Sequence, residues 1–571
     1  MDTLIFPYGT ADYYSIITEN NVYIDRTHYI PLIEGKGRTL IFLRPRRFGK
    51  SLLISMLENY YDVRKADEFD RLFGHLTIGQ NPTPRHNRYF ILRWNFSVVD
   101  TTGDIEHVRQ MLYDHLNSVM YDFSVQYEGM IKRPLEINPD NALATFQRLL
   151  TLVSTTDYPL YLFIDEYDNF ANKVLMAQRI DSQERYLELV EGEGLLRTLF
   201  QTVKYALEGK GLERVFITGV SPVVVHDMTS GFNVAKNITF DPDLSELCGF
   251  SEAELAHLLQ QVGDVCAFSS AQVNEAMMMM RHFYNGYRFL PDQHNALYNP
   301  MLVHYFLDYL QAQCQYPEEI LDSNLSTDRE KLTYIAALPY GEVIIPAALN
   351  EQEPLALFKL AERFGVYDLY HRALDHRFMV SLLAYLGVLT LVEHRSEVGE
   401  LRFVVPNEVT RQLYLEEIQD MLLPTVENKP QVYQLTRTFY QHGTMQAVCD
   451  FIEQACFPLF DNRDYRWTNE LTIKAVFMTL FAGNTLYMMK SEPALQRTYA
   501  DLVMLVKPNM RQYKVLDFLL EFKYVSLSDI KLRGQQVRGM SSDELAALPA
   551  VAALLTEAQE QLPDYRATLI A

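Results

Sequence analysis

The stretch Thr39-Leu-Ile-Phe-Leu-Arg-Pro-Arg-Arg-Phe-Gly-Lys-Ser51 decides the fold of the first half of the chain. It begins as a mostly apolar run typical of a buried strand, and an apolar helical run, residues 52–57, follows it. A strand, a turn ending in Gly-Lys-Ser and a helix form the context of a P-loop, in which N–H groups at the helix N-terminus bind a phosphate. We therefore predict a phosphate-binding turn here, although Arg44 stands where the motif has its first glycine.

The residue types of this turn suit a triphosphate. Lys50 would bridge the β- and γ-phosphates, and the hydroxyl of Ser51 would ligate Mg²⁺. Gly49 would let the backbone approach the phosphates, while Arg46 and Arg47, together with the arginine at position 44, add positive charge. The ordinary alternative is a basic loop that happens to precede a helix.

A second motif, Leu160-Tyr-Leu-Phe-Ile-Asp-Glu-Tyr-Asp168, ends a buried strand in adjacent acids. Asp165 would hold the Mg²⁺ shell, and Glu166 would orient or deprotonate the attacking water. Thr218 ends another apolar run and could place a hydroxyl near the γ-phosphate. The alternatives are a solvated acidic turn and a strand-end threonine bonded to backbone.

Apolar runs at residues 39–43, 89–92, 160–164 and 214–218 alternate with helical stretches, which predicts an α/β fold with a parallel sheet covered on both faces. Residues 246–330 read as helical, with Ser251 as an N-cap. Residues 331–427 read as mostly helical, ending in a hairpin of 387–391 with 401–405, a winged-helix-like pattern. After a linker at 428–430, helix, strand, strand and helix follow to residue 571.

The C-terminal segment contains a second group of chemically active side chains. Asp501 opens the apolar strand 502–506, and a strand over 517–525 contains Glu521 and Lys523. A hairpin of this length brings Asp501 beside Glu521, and side chains two apart share one face. Two carboxylates that bind Mg²⁺ or Mn²⁺, with an ammonium beside them, suit phosphodiester hydrolysis. The alternative is an amphipathic hairpin with an ordinary ion pair.

Glu470 could supply a third carboxylate to this group from a helix capped by Thr468. The alternative is strong here, because Glu470 and Lys474 are four residues apart and would pair on a solvated helix face.

The amino-acid composition excludes a disordered, a collagen-like and a disulfide-scaffold protein. The chain of 571 residues has 48% hydrophobic and 22% charged residues, which is globular composition, and a net charge of −22. Nucleic acid would therefore need a local basic patch. Five cysteines without a CxxC pair argue against a zinc site or a disulfide framework and favour a reducing cytoplasm. No signal peptide, membrane span or membrane partner is expected.

Five stretches match a known family: Tyr23-Ile-Asp-Arg-Thr27, Arg44-Pro-Arg-Arg-Phe-Gly-Lys-Ser51, Phe163-Ile-Asp-Glu-Tyr-Asp168, Thr218-Gly-Val-Ser-Pro222 and Tyr284-Asn-Gly-Tyr-Arg-Phe289. Through them the chain resembles the AAA-ATPase-like proteins of bacteria over most of residues 1–410. The resemblance implies ATP as ligand, an AAA+-type P-loop core and a helical lid from which Arg288 senses the nucleotide, unless Arg288 is only a surface ion pair. It also implies a homo-oligomer, since AAA+ modules usually complete their site with a neighbour's arginine.

The order Glu470, Asp501, Glu521-Phe-Lys523 and then a closing helix resembles the PD-(D/E)XK nuclease superfamily. It is similar to the nuclease domain that follows AAA-ATPase-like domains in this bacterial family, and the closing helix, residues 557–561, would supply an accessory glutamine. The implied organisation is a P-loop domain at 1–245, a helical lid at 246–330, a helical, winged-helix-like middle region at 331–427 and an α/β PD-(D/E)XK nuclease-like domain at 428–571.

Together the two groups of residues predict an ATP-dependent or ATP-gated, metal-dependent nuclease, with DNA favoured over RNA as substrate. A second hypothesis is a nucleotide-dependent signalling or scaffold ATPase whose nuclease-like domain binds nucleic acid without cutting it, which the acidic net charge favours. A third is a nuclease that uses nucleotide only to stabilise its fold.

Overall fold

A computed structural model describes residues 3–169, 194–222, 234–320, 344, 347–349, 354–361, 364, 375–422, 428–456, 470–481, 486–491, 494–495, 498–499 and 501–570. The chain divides into two compact units. The first comprises residues 1–315, 338–340 and 356–407, and the second comprises residues 316–337, 341–355 and 408–571.

The first unit is built on a parallel sheet in which the described strands follow the order β2-β3-β4-β1-β5. Its strands are β1 Thr39–Leu43, β2 Phe90–Asn95, β3 Leu160–Asp165, β4 Leu212–Gly219 and β5 Lys236–Asn237. The predicted α/β class is confirmed, because a parallel sheet with helices fits an α/β P-loop core. Strand β2 extends past the predicted residue 92, because its last residues alternate between buried and half-buried positions rather than forming an apolar run.

Helices of the first unit cover the sheet and continue into the segment predicted as a helical lid. They are α1 Tyr13–Thr18, α2 Ile30–Lys36, α3 Lys50–Tyr61, α4 Phe69–Phe73, α5 Thr77–Gln80, α6 Ile105–Gln126, α7 Ala142–Val153, α8 Leu195–Ala206, α9 Glu252–Val265, α10 Ser270–Tyr284, α11 Pro300–Gln313 and α12 His376–Leu386. The helical prediction for 246–330 is confirmed by α9, α10 and α11, and residues 321–330 lie outside the described part. Ser251 and Glu254 form the expected capping box at the start of α9.

The sheet brings three strand ends to one edge. In register, Leu43 of β1 lies opposite Gly219 of β4, and Ile164 of β3 lies opposite Ile217 of β4. Aromatic and aliphatic side chains from the sheet and from α3 fill the core beneath this edge. Ligands of open α/β sheets bind beyond the carboxyl ends of the strands, so this edge is where a site is expected.

A helix–hairpin module, residues 375–407, packs against the turn after β1. It consists of α12, β7 Thr390–Leu391 and β8 Leu401–Val404, and β7 and β8 pair antiparallel as predicted. Strand β6, Leu355–Leu357, completes the order β6-β8-β7. Gly387 has φ +79°, and a Cβ there would lie 2.4 Å from the Cγ of Pro45. Much of 331–374 lies outside the described residues, so the winged-helix-like assignment stays a prediction.

A disulfide bond joins Cys266, just after α9, to Cys314, just after α11, with Cα atoms 5.4 Å apart. The prediction of a chain with reduced cysteines is wrong at this pair. The two cysteines are 48 residues apart in sequence, and the packing of α9 against α11 brings the C-terminal ends of these helices together, so no short spacing could signal the pair.

The second unit is a mixed α/β structure. Its helices are α13 Glu408–Leu422, α14 Asn428–His442, α15 Gln446–Phe451, a π-helix Ile452–Cys456, α16 Glu470–Leu480, α17 Leu527–Ile530, α18 Gly534–Arg538, α19 Ser542–Ala546 and α20 Pro549–Ile570. Its strands are β9 Tyr487–Ser491, β10 Ala494–Leu495, β11 Thr498–Tyr499, β12 Leu502–Val506 and β13 Phe518–Leu520. The predicted linker at 428–430 is wrong, because these residues form the first turn of α14, where proline is tolerated.

An antiparallel sheet in the order β13-β12-β9 forms the centre of this unit. On one face, Phe518 stacks on Phe439 with ring centroids 4.2 Å apart. On the other face, Leu519 packs against Val503 and Tyr565. The predicted alternation is thus confirmed, but the strand predicted over 517–525 ends at Leu520, because pairing with β12 begins at Leu502.

Among the described residues, no helix combines the length and the apolar character needed to cross a membrane.

Candidate functional site

The turn after β1 has the shape of a phosphate-binding loop at a helix start. Helix α3 begins at Lys50 after Gly49, which has φ +90°. Arg47 also adopts a left-handed backbone conformation, with φ +64°, which non-glycine residues rarely adopt outside functional turns. The Nζ of Lys50 donates to the carbonyl oxygens of Arg44, at 3.0 Å, and Pro45, at 2.9 Å. The ammonium group of Lys50 therefore lies inside the loop, hydrogen-bonded to its backbone, where it could also contact a bound phosphate.

Predicted nucleotide-binding residues converge on a cavity of about 170 Å³ at this turn. Arg47, Gly49, Lys50, Ser51 and Glu166 line it together with N-terminal residues Pro7, Gly9, Thr10 and Ala11 and with Leu52, Pro300, Met301 and His304. The structure thus brings both sequence motifs to a single cavity. That cavity is large enough for a phosphate group and lies at the positive end of α3.

A second, smaller cavity of about 80 Å³ adjoins the first and shares Pro7, Gly49, Leu52, Pro300 and His304 with it. Most of its lining is apolar or aromatic, and the one cationic side chain, Arg26, is paired with Glu254. His304 of α11 packs against Phe6 and Phe250, and burial lowers its pKa to about 4. A mostly apolar, ring-lined cavity beside the predicted phosphate site suits a nucleobase. Sequence reasoning missed it because its residues come from distant segments.

Asp165 lies at the carboxyl end of β3 and is only 1% exposed. One carboxylate oxygen accepts a hydrogen bond from the hydroxyl of Thr218 at 2.6 Å. The other accepts from the guanidinium of Arg93 on β2 at 2.7 Å. Two residues that were predicted separately, Asp165 and Thr218, are therefore in direct contact, and Arg93 is a partner that sequence reasoning did not identify.

Glu166 follows Asp165 with φ +50°, a left-handed conformation that turns its side chain away from the strand direction. Burial raises the pKa of Glu166 above its usual value, against the lowering effect of Lys50. Asp168 fixes the turn, since its carboxylate accepts from the backbone N–H of Ser221 at 2.7 Å. A carboxyl group with a raised pKa beside the predicted phosphate site suits a general base.

Arg44 has a different role from the one predicted. Its side chain is buried and its guanidinium donates to the carbonyl oxygens of Leu43, Thr239, Leu244 and Ser245. It also lies over the rings of Phe42 and Phe289, 4.4 and 4.0 Å from their centroids. The expectation that this arginine adds positive charge for a triphosphate is corrected: it ties the turn to the segment leading into the lid.

Replacing Arg44 by Gly, which restores the usual motif glycine, is expected to destabilise the chain by about 3 kcal/mol. The loss comes from carbonyl groups left without a charged donor and from two cation–π contacts. Chemical denaturation of wild type and Arg44→Gly measures it, with Arg46→Gly as control, because the side chain of Arg46 is only half-buried. Equal stability of the two variants would contradict the structural role of Arg44.

Arg46 and Arg288, like Asp165 and Thr218, contact protein groups and are not among the residues that line the cavity. The guanidinium of Arg46 lies 3.5 Å from the Oδ1 of Asn169. Arg288 pairs with Glu393 of the helix–hairpin module at 3.6 Å and donates to the carbonyl of Gln293 at 3.1 Å. Their roles in binding nucleotide stay predictions.

In the second unit, the hairpin of β12 and β13 brings the predicted acids together. Leu502 lies opposite Leu520, so Asp501 and Glu521 continue the two strands at the same end. The Oδ2 of Asp501 accepts from the N–H of Phe522 at 2.6 Å, and Lys523 lies 3.0 Å from Glu521. Helix α20 closes the group, since Lys523 donates to Gln561 at 3.0 Å and lies 3.4 Å from Glu557.

The electrostatics of this acidic cluster, residues Asp501, Glu521 and Lys523, are asymmetric. The side chain of Glu521 is 6% exposed, and its Oε2 is buried without a hydrogen-bond partner. Burial and the charge of Asp501 raise the pKa of Glu521, despite its contact with Lys523. Burial opposes the charge of Lys523, but its contact with Glu521 raises its pKa. Lys523 is therefore a cation at neutral pH.

Glu470 begins α16, but its side chain, like Thr468, lies outside the described residues. The alternative, in which Glu470 and Lys474 pair on a solvated helix face, is wrong about the solvation, because Lys474 is only 2% exposed. Within the described part of the chain, no group of three or more His, Cys, Asp and Glu side chains forms a metal site. An unpaired buried oxygen of Glu521 near Asp501 nevertheless fits a divalent cation that takes its other ligands from water or substrate.

Comparison with known proteins finds similarity in the N-terminal part of the chain. Residues 7–229 match the family model AAA-ATPase_like, described as "Predicted AAA-ATPase". No curated protein matches the chain.

Two solved structures from Aeropyrum pernix show weak similarity. The ORC1 protein in complex with DNA has 11% identity and a TM-score of 0.24, covering 74% of this chain and 94% of that one. The ORC2 protein (ADPNP-ADP complexes) has 12% identity and a TM-score of 0.30, covering 71% and 97%. The similarity to the AAA-ATPase-like family thus covers residues 7–229 of this chain.

Proposed function

We propose that this chain is an ATP-dependent or ATP-gated, metal-dependent nuclease that hydrolyses phosphodiester bonds of nucleic acid. The observation that carries the nuclease proposal is the acidic cluster: two acids at the end of one hairpin, one buried and unpaired carboxylate oxygen, and a protonated lysine beside it. An unpaired buried carboxylate oxygen costs stability, so it is expected to have a ligand in the working protein.

The ATPase part is supported by the family match and by the two adjoining cavities. Lys50 and the N-terminus of α3 would bind the phosphates, and Ser51 and Asp165 would hold Mg²⁺. Glu166 would accept a proton from the attacking water. The apolar cavity favours adenine, because no carboxylate in its lining could pair with the N–H groups of guanine.

At the acidic cluster, Asp501 and Glu521 would hold Mg²⁺ or Mn²⁺. Such an ion lowers the pKa of a bound water and neutralises charge on the phosphate. Because Lys523 stays protonated, it would stabilise charge on the scissile phosphate rather than act as a base. Gln561 would orient Lys523, since it accepts from its Nζ.

A local basic segment offers the approach that an acidic chain otherwise lacks. Residues 523–538 contain four basic residues and one acidic residue, within a chain of net charge −22. Lys531 and Arg533 are exposed, and Tyr524, three residues after Glu521, is 41% exposed. Exposed cations bind the phosphate backbone, and an exposed aromatic ring can stack on a base.

The double charge reversal Lys531→Glu with Arg533→Glu is expected to weaken nucleic-acid binding by about ten-fold or more at 0.1 M salt. Each lost phosphate contact lowers the salt dependence of binding by about one unit. Fluorescence anisotropy with a labelled oligonucleotide in EDTA measures both quantities. The control is Arg148→Glu with Lys210→Glu, two exposed residues of the first unit with the same change in charge. An equal loss in both double variants would exclude a specific approach path.

The function is tested by incubating the purified chain with DNA and RNA in Mg²⁺ or Mn²⁺, with and without ATP. Cleavage that needs metal and changes with ATP supports the proposal, and the DNA and RNA arms decide the substrate. Binding without cleavage under every metal would favour the second candidate, a nucleotide-dependent signalling or scaffold ATPase. Sedimentation with and without ATP tests the proposed homo-oligomer.

A further inference from the structure

Arg93 connects the acid that follows β3 to the helix that follows the phosphate-binding turn. Its guanidinium lies 2.7 Å from Asp165 through one terminal nitrogen and 3.4 Å from Glu58 of α3 through the other. Lys50 and Glu58 belong to the same helix. A single cation is therefore shared between a predicted Mg²⁺ ligand and the helix predicted to bind the phosphates.

Asp165 has no oxygen that lacks a partner. Thr218 donates to Oδ1 at 2.6 Å, and Arg93 occupies Oδ2. A divalent cation approaching Asp165 would meet the positive charge of Arg93 a few ångströms away, and like charges at such distances repel strongly in a buried site. Metal binding at Asp165 and the present position of Arg93 are therefore in competition.

The structure also provides Arg93 with room to move. A cavity of about 330 Å³ is lined by Glu58 and Arg93 together with Asp62, Arg64 and Tyr127. The side chain of Arg93 is 29% exposed, and its Nε has no hydrogen-bond partner. A shift of the guanidinium away from Asp165 would leave Arg93 beside Glu58, the carboxylate that it already contacts at 3.4 Å.

We infer that Arg93 is a positioning residue that competes with Mg²⁺ for Asp165: when Mg²⁺–nucleotide binds, Arg93 gives up Asp165 and keeps its contact with Glu58. The inference rests on the proposed ATP site. Arg93 acts through Asp165 and touches no substrate. The pairing of Arg93 with Asp165 would raise the Mg²⁺ concentration needed for binding. Asp165 would bind Mg²⁺ readily only when phosphates at the start of α3 help to attract the ion.

The test measures the Mg²⁺ concentration that half-saturates binding of a fluorescent ATP analogue, and the Mg²⁺-dependent rise in melting temperature with ADP. In Arg93→Gln, the half-saturating Mg²⁺ concentration is expected to fall about five-fold or more, because a competing cation is removed. Without Mg²⁺, the variant should melt at a lower temperature than wild type. Addition of Mg²⁺ should raise its melting temperature by more than it raises that of wild type. In Glu58→Gln, which removes the second partner, half-saturation is expected to rise.

Arg64→Gln is the matched control, because Arg64 lines the same cavity but pairs with Asp62. It should leave the Mg²⁺ dependence unchanged. If Arg93→Gln lowers stability while half-saturation stays at the wild-type value, Arg93 is only structural and the inference is overturned. If Arg93→Gln does not fold, Glu58→Gln alone decides, and a wild-type Mg²⁺ dependence there overturns it. A wild-type chain that binds no nucleotide would instead overturn the proposed ATP site.

Discussion

Glu521→Gln and Lys523→Ala are each expected to lower the rate of nucleic-acid cleavage by roughly two to four orders of magnitude. Glu521→Gln removes the negative charge that a divalent cation needs while keeping the shape of the side chain. Lys523→Ala removes the cation that would stabilise charge on the phosphate. Because the glutamine also relieves the repulsion between Asp501 and Glu521, Glu521→Gln is expected to be at least as stable as wild type.

Single-turnover cleavage of a labelled oligonucleotide measures these losses. Glu557→Gln is the matched control, because Glu557 also contacts Lys523 but its side chain is 51% exposed. It should keep most of the activity. ATP hydrolysis in the same preparations reports on the first unit and should not change. Cleavage at the wild-type rate in Glu521→Gln and Lys523→Ala would remove the nuclease assignment and leave the ATPase assignment standing.

Lys50→Ala and Glu166→Gln are expected to abolish ATP hydrolysis in two different ways. Lys50→Ala removes the ammonium that would bind the phosphates, so ATP affinity and hydrolysis should both fall. Glu166→Gln keeps the shape of the cavity but removes the proton acceptor, so ATP should still bind while hydrolysis falls by roughly two to four orders of magnitude.

Binding of a fluorescent ATP analogue and phosphate release, measured side by side, separate these outcomes. Lys36→Ala is the control, because Lys36 forms a surface pair with Asp241 and does not line either cavity. Loss of binding in Glu166→Gln would contradict its assigned role. Nucleic-acid cleavage that persists in Glu166→Gln would show that nucleotide binding, rather than hydrolysis, is enough for the nuclease. That is the third hypothesis from the sequence.

Local sequence patterns predicted much of this structure because the relevant contacts are close in sequence. The apolar runs of β1, β3, β4 and β12 lie within a few residues of their predicted positions, and the capping box at Ser251 is as expected. The turn before Lys50 and the hairpin that joins Asp501 to Glu521 follow from the same short-range rules of turns and alternation.

Contacts between distant segments were beyond sequence reasoning. Arg93 meets Asp165 only because β2 lies beside β3, and Arg44 meets carbonyl groups some 200 residues away. The disulfide partners and the residues of the apolar cavity are likewise separated by long stretches of chain. In each case the residue type alone does not predict the contact, because the partner comes from a segment that only the folded chain brings close.

The close contact of Gly387 with Pro45 determines which fragments of the protein can be expressed with an intact loop. Because Gly387 leaves no space beside Pro45, residues far along the chain form one wall around the loop that would bind the triphosphate. A fragment that ends soon after α11 would lack Gly387. Pro45 would then be exposed to water, and the loop would lose its packing contact on that side. The smallest fragment suited to testing the proposed ATPase activity therefore has to extend to about residue 407, where the first unit ends.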